Sequence, residues 1–226
     1  MNKLFSTLSA LAVASVTALY APVSGAEELK GDPVAGQKKI ATCIGCHGIV
    51  GYQASFPEIH KVPKISGQGA KYIATALNEY KTGARKHPTM RAVADSLSEQ
   101  DMANIAAYYE AHVIAQSGAA AAGKAPPAPS ARVAELLTKG NCVSCHGDNF
   151  AKPIDPTYPK IAGQHADYLY VALKSYKTEN KQLVGRSNGV MAGIAKQFSN
   201  DELKALAGYV GSLNGDLQTV PESRFR

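Results

Sequence analysis

The chain has 226 residues, 45% hydrophobic and 19% charged, with 24 basic against 18 acidic side chains for a formal net charge of +6. That length suits two small domains, and beyond the N-terminus no segment is apolar for long enough to span a bilayer. The positive excess forms no Lys or Arg run, which argues against a nucleic-acid partner; most of it lies in the second half, where it either steers an acidic partner or is an ordinary solvated surface.

The N-terminus reads as a leader. Met1, Asn2 and Lys3 give a positive start, residues 4–20 carry no charge, and Ser24-Gly25-Ala26 supplies the small residues that a signal peptidase reads. Residues 1–26 are therefore expected to be a cleaved signal peptide, with the mature chain starting near Glu27. An uncleaved membrane anchor is the alternative.

Asp32-Pro33 then opens a helix, because Asp caps well and Pro is favoured at the first helical position. The helix is expected to run to about Thr42 and to deliver Cys43 and Cys46. These belong to Cys43-Ile44-Gly45-Cys46-His47-Gly48, and the pattern returns as Cys142-Val143-Ser144-Cys145-His146-Gly147. The two copies hold all four cysteines. C-x-x-C followed at once by His is the attachment pattern of a c-type haem. Each thiol adds to one vinyl group to form a thioether, and the adjacent imidazole is aimed at the iron. Two disulfides, a redox dithiol or a shared zinc also use such cysteines, but none requires a His after each second Cys. Two covalently attached haems c are therefore expected, one per half. Their assembly outside the cytoplasm agrees with secretion, and a bacterial periplasm is the natural setting.

Residues 48–61 read as loop. Val62-Pro63-Lys64-Ile65-Ser66-Gly67-Gln68 leads into a helix over 71–80, where Tyr72, Ile73, Ala76, Leu77 and Tyr80 recur at helical spacing, and Gly83 stops it. A loop carries Arg85, His87, Pro88 and Met90. Ser98 to Asp101 resembles a capping box with Asp in place of Glu, and the helix it opens runs to about His112.

The second half repeats this order. Of the 22 aligned pairs from Val62/Tyr158 to Gly83/Glu179, 12 are identical. Arg186 answers Arg85, Met191 answers Met90 and Ser199 answers Ser98, and the last helix runs to about Leu213. Residues 115–130, rich in Ala, Gly and Pro, read as an extended linker. The expected fold is all-α: domain 1 over 27–114, the linker over 115–130 and domain 2 over 131–226, with no strand pattern.

The second axial ligand decides what such an iron does. An open site binds oxygen or peroxide, whereas a Met closes it and raises its potential. Met191 is the one methionine of the second half and Met90 holds the matching place, so both are expected to be axial ligands beside His47 and His146; the bland alternative is core filling. Met102 aligns with Leu203 and reads as packing. His87 is the substitute ligand to consider. Arg85 and Arg186, each five residues before a Met, are either partners of haem propionates or solvated side chains.

Together these pieces resemble the class I cytochromes c, and more closely the dihaem cytochrome c4 family. The resemblance covers nearly all of the chain after the leader and rests on C-x-x-C-H-G at Cys43 and Cys142, P-K-I-x-G-Q at Pro63 and Pro159, Met90, Met191 and the capped last helices. It implies two linked cytochrome c domains with propionate edges close together, His/Met ligation in both, and Pro63 and Pro159 carbonyls accepting from His47 and His146. Two features depart from the family. Glu135 stands where Gly36 would repeat in the crossing with the last helix, and residues 49–61 lack the Asp-Gly expected after the first attachment motif.

The function implied is a periplasmic, non-enzymatic carrier of single electrons between respiratory donors and a terminal oxidase or other acceptor. Loose association with the membrane is left open. The rivals are a haem subunit of a membrane dehydrogenase or oxidase complex and a dihaem peroxidase.

Overall fold

The computed structural model describes residues 29–114, 127–179 and 181–222. The expected signal peptide and most of the expected linker lie outside the described residues. No helix among the described residues is long and apolar enough to cross a membrane.

The first half begins as its sequence asks. Asp32 accepts from the Val34 amide at 2.8 Å, and Pro33 starts helix α1, Pro33–Gln37. One helix through Thr42 was expected; the chain instead turns after Gln37 and restarts as α2, Ala41–His47. The turn lets Ile40 and Ile44, both almost fully buried, face the same core. The helices α3 (Ala70–Thr82), α4 (Pro88–Asp95) and α5 (Glu99–Ala111) close that core. Gly83, at φ 85°, caps α3, a conformation that favours glycine. Met102 lies in the core with Ile73, Leu77 and Ile105, as packing. The Ser98 box is complete with Asp101 in the place of Glu. Gly36 marks where α1 crosses α5: a Cβ there would lie 2.1 Å from Asn104 O and 2.9 Å from Tyr108 Cβ.

The second half comprises α6 (Ala131–Gly140), α7 (Val143–His146), α8 (Ala166–Tyr176), α9 (Gly189–Ala195) and α10 (Asn200–Ser212). Its crossing differs, as Glu135 required. Leu136 packs with Phe198, Leu203 and Leu206, so side chains separate the helices where the first half has backbone contact.

The expectation of no strands is corrected by two short antiparallel ladders. β1 (Gln53–Ala54) pairs with β2 (His60–Lys61) inside the 48–61 loop. β3 (Arg85–Lys86) pairs with β4 (Gly185–Arg186) and joins the halves, with Arg85 opposite Arg186. Two-residue strands leave no alternating pattern for a sequence to display.

Further contacts hold the halves together. Gln68 and Gln164 exchange hydrogen bonds with the backbones of Lys160 and Lys64. Lys61 pairs with Asp167 at 3.2 Å. The C-terminal segment returns to the first half: Gln218 N donates to Ser66 O at 2.9 Å, and Tyr108 Oη donates to Glu222 at 2.6 Å.

Candidate haem-binding sites

One continuous cavity of about 680 Å³ is lined by Cys43, Cys46, His47 and Met90 from the first half and by Cys142, Cys145, His146 and Met191 from the second. The eight side chains that sequence spacing singled out are thus brought to one apolar space. All four cysteines are free and half-buried.

Each half assembles its set in the same way. In each half a short helix ends at the motif's His, and the Pro after the intervening loop meets that ring. His47 Nδ1 donates to Pro63 O at 2.8 Å, and His146 Nδ1 to Pro159 O at 3.1 Å. A carbonyl only accepts, so Nδ1 carries the proton in both rings and Nε2 keeps its lone pair for the cavity. Burial holds both histidines below their ordinary pKa, which keeps them neutral and fit to bind a metal. Burial also pushes the Cys43 and Cys142 thiols up.

The methionines occupy equivalent places. Met90 is the third residue of α4 and Met191 the third of α9. The caps match too: His87 Nδ1 accepts from the Met90 amide at 3.4 Å, and Asn188 Oδ1 from the Met191 amide at 3.0 Å. His87, considered as a substitute ligand, therefore occupies the cap that Asn188 fills in the other half.

Near β3 and β4 the cavity meets two cations. Arg85 donates to Tyr72 Oη at 3.2 Å, pairs with Glu79 at 2.9 Å, and lies against the Tyr72 and Tyr80 rings. Arg186 donates to Tyr168 Oη at 3.0 Å and lies against the Tyr168 and Tyr176 rings. Arg85 is 6% exposed, which removes the solvated alternative for that residue. Burial pushes Tyr72 up to about 12, so its phenol stays neutral beside the guanidinium. Tyr72 and Tyr80 read from sequence as one face of a helix; the role of the four tyrosines around the arginines was missed. The available signal was their exact recurrence, Tyr72 with Tyr168 and Tyr80 with Tyr176, inside the repeated block.

These residues fit a haem in each half. The donor set offers paired thiols, a neutral imidazole and a thioether. Arg85 Nε is buried without a partner, and an unsatisfied buried N–H calls for an acceptor. A carboxylate-bearing macrocycle held by the cysteines would supply one.

Comparison with known proteins agrees with this geometry. The family profile described as Cytochrome c matches residues 33–111 and 130–214. The chain is 31% identical over 208 residues to cytochrome c4 of Stutzerimonas stutzeri, covering 85% of this chain and 94% of that one. It is 29% identical over 180 residues to the thiosulfate dehydrogenase electron acceptor of Stutzerimonas stutzeri strain A1501, covering 76% and 78%. Among solved structures, reduced recombinant cytochrome c4 from Pseudomonas stutzeri superposes with a TM-score of 0.61 at 29% identity, over 81% of this chain and all of that one.

Proposed function

The chain belongs to the dihaem cytochrome c4 family, and on that premise we propose that it carries single electrons in the periplasm, between respiratory donors and a terminal oxidase or other acceptor. It is an electron-transfer protein of two tandem cytochrome c domains with two covalently attached haems c. When bound, the haems supply one-electron Fe(II)/Fe(III) chemistry.

The residues divide the work. Cys43 and Cys46 in the first half, and Cys142 and Cys145 in the second, hold the groups covalently. His47 and His146 present Nε2 to the iron, each ring being fixed at Nδ1 by a proline carbonyl. Such a contact sets the plane of the imidazole and its donor strength. Met90 and Met191 would supply the second ligand of each iron and keep small ligands out. Arg85 and Arg186 neutralise propionates near the seam between the halves. Residues 1–26 direct secretion, and the mature chain starts near Glu27.

One observation carries this reading: both halves bring the same Cys-Cys-His-Met set to one shared cavity. The matched sets support two closed irons rather than the one open iron that a peroxidase needs. Stopped-flow reduction tests the carrier. Both haems are expected to be reduced by a donor that reaches one half, with transfer between halves faster than the encounter. Slow transfer and independent potentials would contradict it.

Similarity to the thiosulfate dehydrogenase electron acceptor supports a narrower second reading, in which the donor is a sulfur-oxidising dehydrogenase. Reduction of the chain by such an enzyme with thiosulfate, at a rate saturating in the chain, is the expected result. Its absence would return the donor to the respiratory chain.

A further inference from the structure

We propose that Gln164 and Gln68 each tune the axial histidine of the opposite half through a single peptide group, an inference that rests on His47 and His146 being iron ligands. The peptide joining Pro63 to Lys64 is hydrogen-bonded at both ends. Its carbonyl accepts from His47 Nδ1 at 2.8 Å, and its N–H donates to Gln164 Oε1 at 2.9 Å. The peptide joining Pro159 to Lys160 repeats the pattern. Its carbonyl accepts from His146 Nδ1 at 3.1 Å, and its N–H donates to Gln68 Oε1 at 2.9 Å.

The glutamines are held firmly. Both are 4% exposed. Gln68 Nε2 donates to Lys160 O at 2.9 Å, and Gln164 Nε2 donates to Lys64 O at 2.8 Å. Those carbonyl partners fix which end of each amide is oxygen. The lysine side chains add a second crossing, Lys64 Nζ to Gly163 O at 2.7 Å and Lys160 Nζ to Gly67 O at 2.8 Å.

Hydrogen bonds in series polarise one another, by about 10–30% per bond. An acceptor on the peptide N–H makes the carbonyl at its other end more negative. That carbonyl then draws the Nδ1 proton more strongly, and the imidazole becomes a better donor to the metal. A more electron-rich ligand favours oxidised iron, so each glutamine holds down the potential of the haem in the other half. P-K-I-x-G-Q thereby serves two irons, its Pro-Lys peptide acting on its own histidine and its Gln on the partner's.

The test assigns each potential to its half. Gln164→Met keeps the bulk and removes the acceptor. In a redox titration, with ring-methyl NMR signals assigned to each half, the reduced-to-oxidised ratio of the first-half haem is expected to rise about threefold at fixed potential. That is about 28 mV at 59 mV per tenfold. The second-half haem should move less than half as much. Gln68→Met should give the mirror image, and Gln164→Glu, which still accepts from Lys64, should not raise the first-half potential. A shift in the variant's own half, equal shifts in both haems, or no shift would overturn the relay. Gln164→Asn, too short to reach Lys64, stands in under the same criteria where the Met variant fails to load two haems. A wild-type chain lacking His-ligated low-spin haems would sink the ligand assignment and the relay together; wrong shifts on a normal wild type sink the relay alone.

Discussion

Arg85 and Arg186 stand directly opposite each other in the ladder that joins the two halves. Like charges across a strand pair are destabilising, and Glu79 is the carboxylate that the described residues pair with Arg85. The seam therefore holds surplus positive charge next to the cavity. Positive charge near an iron favours its reduced state. Arg85→Gln is expected to lower the first-half potential and Arg186→Gln the second, each by about threefold in the reduced-to-oxidised ratio, roughly 30 mV. Arg85→Lys should recover only part, since an ammonium cannot reproduce the planar contact with two tyrosines. Spectroelectrochemical titration of each variant checks this; unchanged potentials would place the anionic edges elsewhere.

The two helix crossings should respond differently to substitution. Gly36→Ala drives a methyl into the Asn104 carbonyl and the Tyr108 side chain, and such overpacking against backbone costs about 3 kcal/mol. Glu135→Ala, at the aligned place, should stay within about 0.5 kcal/mol because it is exposed. Urea unfolding of the two holoproteins measures both, and equal costs would mean that the crossings are alike.

The return of the C-terminal segment should be sensitive to pH. His112 stacks on Tyr108, lies 3.3 Å from Ser66 Oγ and 3.2 Å from Glu222. Burial holds its pKa below the ordinary value, with Glu222 pulling the other way. The unfolded chain thus binds the proton more readily than the folded one. The contribution of His112 is complete above its unfolded pKa, about 6.5, and falls as pH drops below it. Glu222→Gln removes the opposing pull, so the loss should begin at the same pH and extend further. Denaturation midpoints between pH 7.5 and 5 check this, with His112→Gln expected to flatten the dependence.

Methionine substitutions separate ligand from filler. Met90→Ala and Met191→Ala should each remove about half of the weak far-red Met-to-iron absorption of the oxidised protein. Met102→Leu should leave it whole, because that side chain lies in the core and a volume-conserving swap costs less than about 1.5 kcal/mol. Loss of the band in Met102→Leu would reverse the assignment in the first half.

Much of this was legible in the sequence because it was written twice. Helix starts at Asp32, Ser98 and Ser199 follow from local capping chemistry, and each was found where capping placed it. The C-x-x-C-H motif and matched methionines picked out the side chains that meet in the shared cavity, and the family resemblance implied the contacts of Pro63 and Pro159 with the two histidines. What stayed hidden depends on how the halves meet. Nothing local distinguishes a glutamine that faces solvent from Gln68 or Gln164 reaching across the seam. Tyr72 and Tyr80 satisfy a helical period whether they meet aliphatic side chains or a guanidinium. The turn after Gln37 was missed for a related reason: the helical pattern runs on through Thr42, and only the need to bury both Ile40 and Ile44 redirects the chain.

The first measurement is the optical spectrum of the secreted protein, oxidised and reduced, with haem counted per chain and carbon monoxide added to the reduced form. Two low-spin c-type haems per chain, a far-red Met-to-iron band in the oxidised state and no carbon monoxide adduct are the expected result. A high-spin component, or ready binding of carbon monoxide or peroxide, would mean that one iron is open, and would contradict a carrier closed by Met90 and Met191.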